Sequence, residues 1–201
     1  MKSEFEIKDT KEIEQILKSA TYGTLALCRD NKPYSVPINF TMIGEDIYFH
    51  GKKSGKKMSY IGDNPFVSFS VVESYSIIPS YFSTKDSHAC PATHLFKSVL
   101  IEGKIEIVKE YDVKVKALEA LMQKLQPEGG YTPLEDSIYE KRVNGVEIMR
   151  LKPYKITAKA KLAQQLSQER YDMIVENLQK RANESDKITL LRMKEKRDHK
   201  D

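Results

Sequence analysis

The residues best suited to chemistry in this sequence lie in one basic run, from His50 to Lys57 (HGKKSGKK). An apolar segment at 47–49 precedes the run and is typical of a strand. Ser54 is predicted to cap a short helix over 56–61, which the sequence GDNP at 62–65 would end. Free N–H groups, a helix dipole and ammonium groups together suit a phosphate. The turn is therefore predicted to bind a phosphate, and the alternative is a solvated basic turn.

His50 stands directly before this turn and has two possible roles. A single histidine at the end of a strand is commonly structural, whereas its position beside the lysines favours a chemical role. The run does not match the spacing of a P-loop, because GKKSGKK lacks the serine or threonine that should follow the lysine. The phosphate hypothesis therefore depends on the turn itself.

The composition limits the classes of function. The chain has 201 residues, of which 40% are hydrophobic and 31% charged, with a formal net charge of +4. This weak positive charge gives no reason to expect nucleic-acid binding. No apolar run approaches the ~20 residues of a membrane span, and the first residues lack a signal-peptide core. We therefore expect a cytoplasmic protein that does not bind membranes.

The hydrophobic periodicity predicts a mainly β protein of the α+β type. Strands are expected at 23–28, 33–42, 47–50, 66–72, 95–108 and 143–151, and residues 154–160 would extend or follow the last of them. Helices are expected at 11–19, 56–61, 111–125 and 167–181. Short turns between the first three strands indicate antiparallel pairing. These features predict a six-stranded, closed or partly closed antiparallel barrel with flanking helices over residues 1–160. Residues 161–201 would form a C-terminal helical extension whose last ~20 residues add at most one apolar turn.

Two further segments are unusual for a compact barrel. Pro37 interrupts the second predicted strand, so its side of that strand must face an edge, a bulge or a ligand. Residues 73–94 have no regular pattern and are expected to form a long loop, and such loops are often functional.

The cysteines and the remaining histidines of the barrel carry weaker signals. His88, Cys90 and His94 could suggest a metal site, but three ligands within seven residues rarely reach tetrahedral geometry, so no metal is predicted. A polar loop is the preferred interpretation, and a redox role for Cys90 stays open. Cys28 lies in an apolar strand and is expected to be buried. Both thiols are expected to be reduced.

Several motifs in order resemble a known family. GTLA at 23–26, PYSVPINF at 33–40, IYFHG at 47–51, GKK at 55–57, NP at 64–65 and FKSV at 96–99 are similar to the FMN-binding split-barrel proteins related to pyridoxamine 5′-phosphate oxidase. Within that family the sequence most resembles the 5-nitroimidazole-resistance (nitroimidazole reductase) subgroup. The resemblance covers roughly residues 10–125.

The resemblance implies a role for each motif. Backbone groups of Val36, Pro37, Ile38 and Asn39 would approach the flavin ring. Gly55, Lys56 and Lys57, with Ser98, would hold the 5′-phosphate, and Phe96 would lie beneath the cofactor. Gly51 and Val99 would complete the cofactor site, and His50 would be the catalytic residue. The resemblance also implies a homodimer. The absence of a GxGxxG fingerprint favours FMN over FAD.

Two functions remain open from the sequence. The first is an FMN-dependent oxidoreductase that reduces a small substrate, such as a nitro-aromatic, with a nicotinamide electron donor. The second is a non-catalytic flavin- or haem-binding protein that acts as a sensor or regulator. Residues 159–170 resemble a C-terminal segment of flavin-binding split-barrel proteins described as regulators, although Ala163 stands where a serine is expected. Haem would need an axial ligand, for which His50, His88 and His94 are the candidates outside the tail.

Overall fold

The computed structural model describes residues 2–85 and 88–198, and of Asp198 only the backbone. Two compact units divide the chain. Unit 1 comprises Met1–Ile13, Val72–Ser98 and Ala158–Asp201, and unit 2 comprises Glu14–Val71 and Val99–Thr157. The boundary expected near residue 160 stays a prediction, and the two units are described separately below. His199, the fourth histidine, lies outside the described residues.

The fold is a mainly antiparallel β-sheet with flanking helices, as expected for a split barrel. Its strands are β1 (Gly23–Arg29), β2 (Lys32–Ile38), β3 (Thr41–Ile43), β4 (Asp46–Gly51), β5 (Phe66–Ile78), β6 (Thr93–Val108) and β7 (Glu147–Lys161). They form one seven-stranded sheet in the order β2-β1-β5-β6-β7-β4-β3. The two strands at the ends of this order follow each other directly in the chain.

The count of seven strands corrects the predicted six. The alternating segment 33–42 is two strands: β2 pairs with β1 as far as Ile38, and β3 pairs with β4 from Thr41. Phe40 lies between them and is fully buried. Its side chain meets the Phe69 ring edge-on at a centroid distance of 5.0 Å. The chain therefore changes its pairing partner at a point where the hydrophobic alternation continues.

Two other boundaries also differ from the sequence prediction. The segment expected to be a loop from residue 73 continues as strand to Ile78, and a 3-10 helix, Ser80–Phe82, follows it. The sixth predicted strand begins later, since Glu140–Gly145 is helical, and residues 154–160 extend it, so that it ends at Lys161. Ala158 and Ala160 are buried in this continuation. Small apolar residues gave a weaker strand signal than the branched residues before them.

The helices agree more closely with their predicted spans. They are α1 (Thr10–Ser19), α2 (Lys56–Asp63), α3 (Tyr111–Leu125), α4 (Glu140–Gly145), α5 (Gln168–Arg181) and α6 (Glu184–Asp198). Ser167 caps α5, because its side chain accepts a hydrogen bond from the Arg170 N–H. Ser54 does not cap α2. The N-cap of α2 is Gly55, with φ of 118°, a conformation that glycine adopts readily.

The expectation that residues after Ala182 add little to the fold is wrong for unit 1. Asp186 and Thr189 on α6 are completely buried, and the Thr189 hydroxyl accepts a hydrogen bond from the Ser76 N–H at 3.0 Å. The Asp186 carboxylate accepts from the Ser76 hydroxyl at 2.6 Å and from Arg181 Nη2 at 2.6 Å. The sequence concealed this contact because buried polar residues leave no apolar stripe on the helix.

Cys28 corrects a further expectation, since both cysteines are exposed. On β1 the buried positions are Gly23, Leu25 and Leu27, so Cys28 alternates to the other face of the strand. Among the described residues, no helix combines the length and the apolar character needed to cross a membrane.

Candidate functional site

The predicted phosphate turn connects β4 to α2 within unit 2. β4 delivers His50 and Gly51 at its end, opposite Ile148 and Glu147 of β7. The chain then turns through residues 52–55, and α2 begins at Lys56. Within the part of the chain that the structure describes, no side chain caps α2, and the first turn of this helix contains no acidic residue. The N–H groups at the start of this helix therefore lack the hydrogen bonds that capping side chains accept in most helices.

Lys57 is the residue of this turn that points back toward the strand. Its side chain is partly buried, and its Nζ lies 5.4 Å from the centre of the Phe49 ring. A Cβ atom built on Gly51 would lie 2.8 Å from that Nζ, so the glycine leaves the amine its space. Within the described residues, no carboxylate lies within ion-pair distance of Lys57. Burial lowers the pKa of Lys57 below its usual 10.5.

His50 lies beside Lys57, and burial together with this neighbour lowers the pKa of its ring. The pKa of His50 is lowered from 6.5, first by burial against the protein and second by the positive charge of Lys57. Much of the side chain nevertheless remains exposed. The ring is therefore neutral at pH 7, so it has one nitrogen that donates and one that accepts a hydrogen bond.

The side chain of Lys56 points in a different direction from that of Lys57, although both residues lie in the first turn of α2. Its Nζ lies 4.4 Å from the centre of the Tyr34 ring and 5.8 Å from that of Tyr60. The two rings contact each other at 5.3 Å, and the Arg29 guanidinium lies 6.0 Å from Tyr60. Sequence reasoning missed this cation–aromatic cluster, because Tyr34 was read only as a member of an alternating strand.

The four residues at 36–39, which were predicted to approach the flavin ring, lie at the end of β2 on an edge of the sheet. β2 is the terminal strand of the sheet order, and Pro37 stands opposite Thr24 of β1. Val36 and Ile38 are half-buried, whereas Pro37 and Asn39 are exposed. The Asn39 side-chain amide donates to the Thr21 carbonyl at 2.9 Å. Pro37 thus lies on an edge strand, which is one of the three environments expected for it: an edge, a bulge or a ligand.

Three predicted cofactor residues lie on β6. Val99, in unit 2, is completely buried, so only its backbone could meet a ligand. Phe96 and Ser98 belong to unit 1 and are half-buried, and the Lys159 Nζ lies 5.6 Å from the centre of the Phe96 ring. The structure thus brings His50, Gly51 and Lys57 together, and the flavin roles of all the predicted residues stay predictions.

The candidate metal ligands of unit 1 do not converge. His94 Nε2 lies 2.9 Å from the Ser74 hydroxyl and 3.1 Å from the Tyr75 carbonyl oxygen. His88 and Cys90 are exposed. Over residues 2–85 and 88–198, no group of three histidine, cysteine or acidic side chains could hold a metal ion. His94 is therefore engaged with its own sheet.

The profile of the pyridoxamine 5′-phosphate oxidase family matches residues 9–160. The chain belongs to this family. The match spans β1 to β6 and most of β7, and it confirms the resemblance that the sequence motifs indicated. Membership of the pyridoxamine 5′-phosphate oxidase family accounts for the antiparallel split barrel.

Similar proteins agree with this assignment at the level of the fold. A 5-nitroimidazole antibiotic resistance protein of Bacteroides thetaiotaomicron has a TM-score of 0.62 and 20% identity, covering 77% of this chain and 85% of that chain. An FAD- and haem-binding protein of Mycobacterium smegmatis has a TM-score of 0.63 and 17% identity, covering 77% and 72%. A protein of Rhizobium meliloti (strain 1021) without an assigned function is 30% identical over 67 residues. That match covers 33% of this chain and spans 44% of the relative.

Proposed function

We propose that this protein is an FMN-dependent oxidoreductase that reduces a small substrate, such as a nitro-aromatic compound, with electrons from NADH or NADPH. One observation carries the proposal: the partly buried Lys57 amine has no carboxylate partner among the described residues and lies beside His50 and Gly51. A partly buried cation without an internal partner is costly unless an external anion neutralises it.

The residues around Lys57 fit a phosphate. The N-terminus of α2 offers backbone N–H groups without a side-chain cap, and Gly55 lets a ligand approach the backbone closely. Lys52 and Lys53 are exposed in the same turn and add a long-range positive field. We assign Lys57 the direct phosphate contact and keep Lys56 as a second, more exposed cation. FMN is preferred to FAD because this single turn supplies one phosphate site.

A bound flavin would supply the two-electron transfer between the nicotinamide and the substrate. The protein's own part is to hold the phosphate at Lys57 and to manage protons at His50. Because its pKa is lowered, the His50 ring is neutral at pH 7 and can donate a hydrogen bond from one ring nitrogen while it accepts at the other. We propose that this ring exchanges a proton with the substrate.

The edge of β2 and two further positions complete the proposal. We propose that the backbone of Val36, Pro37, Ile38 and Asn39 lies along the flavin ring, because Pro37 leaves that edge without a full set of donors. Backbone groups of Gly51 and Val99 are proposed as further cofactor contacts. A homodimer is also proposed. Exposed apolar side chains in unit 2, including Phe66 with 56% and Tyr154 with 62% of its surface exposed, support a protein interface.

A flavin- or haem-binding regulator is the second candidate. The similarity to an FAD- and haem-binding protein favours it. His94 argues against haem ligation in unit 1, because its Nε2 already contacts Ser74 and Tyr75. An exposed imidazole such as His50 would be the freer ligand.

The visible spectrum of the purified protein, after reconstitution with FMN, tests the two candidates. We expect flavin bands that NADPH or NADH bleaches without oxygen, and that a 5-nitroimidazole restores. Heat extraction should release FMN when compared with FMN and FAD standards. A Soret band, or flavin bands that neither nucleotide bleaches, would overturn the oxidoreductase assignment. The variant His50→Gln should keep the flavin bands and lose most of the turnover.

A further inference from the structure

A groove beside α3 in unit 2 is separate in its residues from the turn discussed above. Its volume is about 610 Å³, and it is lined by one residue of β3, seven of α3 and one of the loop that follows α3. Pockets that bind small molecules typically have ~300–1,000 Å³. The groove therefore has the size of a small-molecule site.

The base of the groove is largely apolar. Ile43 on β3 lines it together with Val115 and Ala120 on α3, and Tyr111 stands at the start of the helix. Val115 is 5% exposed, whereas Ile43 and Ala120 are half-buried. The apolar body of a ligand would remove these side chains from water, at a gain of ~25 cal/mol per Å² buried.

The polar side chains around this base carry an excess of negative charge. Asp112, Glu119 and Glu135 line the groove against a single cation, Lys116. Over the described residues, neither Asp112 nor Glu135 forms an ion pair, although Lys116 stands only one helical turn from Asp112. Two carboxylates are thus free to meet a positive charge.

Glu119 has a different part, because it fixes the loop that carries Glu135. Its Oε1 accepts a hydrogen bond from the Tyr131 hydroxyl at 2.8 Å, and its Oε2 accepts from the Leu134 N–H at 3.2 Å. The loop after α3 contains Gly129 and Gly130, both with positive φ, and would otherwise have many conformations. Glu119 therefore positions the wall of the groove rather than contacting a ligand.

We propose that this groove binds a small organic cation, namely an amine joined to an aromatic or aliphatic body. The apolar base receives the body, and Asp112 and Glu135 attract the ammonium group. The Tyr111 ring offers a further face for a cation. Anions of the same size are excluded by the two carboxylates.

The test compares three probes that share one aromatic body: 1-naphthylmethylamine, 1-naphthylmethanol and 1-naphthylacetate. Their dissociation constants for the full-length, flavin-loaded protein are measured by ligand-observed NMR at low salt. Each exposed ion pair contributes little, so the amine is expected to bind about five- to tenfold more tightly than the alcohol. The acetate should bind more weakly than both. Equal binding of all three probes would overturn the cation specificity.

Variants locate the binding. Asp112→Asn combined with Glu135→Gln should reduce amine affinity to that of the alcohol, whereas Glu128→Gln removes a carboxylate from the same loop outside the groove and should change nothing. Ala120→Trp should block all three probes. Because Ala120 is half-buried, Gln123→Trp at an exposed lining position provides a second blocking variant. Amine binding that survives in both tryptophan variants would overturn the proposal.

Discussion

Arg181 in unit 1 and Lys57 in unit 2 are both partly buried cations, and they differ in how their charge is neutralised. Arg181 donates from Nε and Nη2 to the two oxygens of Asp186, at 2.8 and 2.6 Å. It also donates to the Ile77 carbonyl at 3.0 Å and lies 5.0 Å from the centre of the Phe82 ring. Lys57 contacts the Phe49 ring and, among the described residues, no carboxylate.

The difference separates a structural charge from a charge available to a ligand. The pKa of Asp186 is lowered chiefly by its hydrogen bond to Arg181, so both members stay ionised and hold α5, α6 and β5 together. The pKa of Lys57 is lowered by burial, and no carboxylate among the described residues stabilises its charged form. Binding of an anion would supply that stabilisation. The predictions below test this contrast.

Asp186→Ala should have the largest effect. It leaves the Arg181 charge and the Ser76 hydroxyl without their acceptor, and breaking a buried pair costs ~3–5 kcal/mol. Because Arg181 keeps 31% of its side chain exposed, we expect a loss of about 2–3 kcal/mol in the free energy of unfolding. Urea denaturation followed by circular dichroism measures it. Glu184→Ala, which removes an exposed partner of Lys187 on the same helix, should leave the transition unchanged. Equal shifts for both variants would refute the structural role of the pair.

Lys57→Met should weaken FMN binding by roughly ten- to a hundredfold, because a charge-assisted hydrogen bond contributes ~1.5–3 kcal/mol. The measurement is the quenching of flavin fluorescence on titration with apoprotein. Riboflavin, which lacks the phosphate, is the ligand control, and its affinity should hardly change. Lys53→Met removes an exposed lysine of the same turn and is the matched variant. If riboflavin binding falls as much as FMN binding, Lys57 does not hold the phosphate.

The pH dependence of FMN affinity should reveal the titration of the Lys57 amine. The charged amine attracts the phosphate, and burial lowers its pKa, so affinity should fall with rising pH and begin to fall below 10.5, the usual lysine value. The ratio of FMN to riboflavin affinity from pH 7 to 10.5 isolates this effect, since the ring titrates in both ligands. Lys57→Met should remove most of this pH dependence and leave only the smaller part that comes from the exposed lysines of the turn. A ratio that stays flat in the unsubstituted protein contradicts the assignment.

Lys52→Ala with Lys53→Ala should have the smallest effect, a loss of only a few-fold in FMN affinity. Both side chains are exposed and act through a field that has a screening length of ~8 Å at 0.15 M salt. The FMN affinity of the unsubstituted protein should therefore be lower at 0.5 M than at 0.02 M sodium chloride. It should exceed the affinity of the double variant at 0.02 M and approach it at 0.5 M. A loss that persists at 0.5 M salt would indicate direct contact.

Sequence patterns predicted much of the fold because periodic apolar residues determine it. The span predicted for α3, 111–125, is the observed one, and five of the strands were located within a few residues at one end or both. The errors lie where a pattern continues across a structural change. Phe40 continues the apolar alternation of β2 although the chain has already left that strand for β3. Ser76 is a buried polar residue near the end of β5, so the apolar pattern stopped before the strand did.

The candidate site was predicted less completely, for a physical reason. Adjacency in the sequence placed His50 beside the lysine turn, but it could not show that Lys56 and Lys57 diverge on α2, because successive helical residues differ in direction by ~100°. The contact of Lys56 with Tyr34 joins two segments far apart in the chain. The Asp186 network likewise joins α6 to β5, and no local pattern records such a pairing.

The prolines of β2 have a consequence for how separate molecules of this protein meet. β2 has a free edge in the sheet order, and an exposed edge is a template on which another chain can add a strand. In a strand, the N–H groups of every second residue point to the same side, so those of residues 33, 35 and 37 share one side of β2. Because Pro33 and Pro37 have no N–H, Ser35 is the single donor among these three positions. A foreign strand laid along β2 would find too few hydrogen bonds to stay. This edge therefore resists aggregation by strand addition, and Pro37→Val would be expected to make the protein more prone to it.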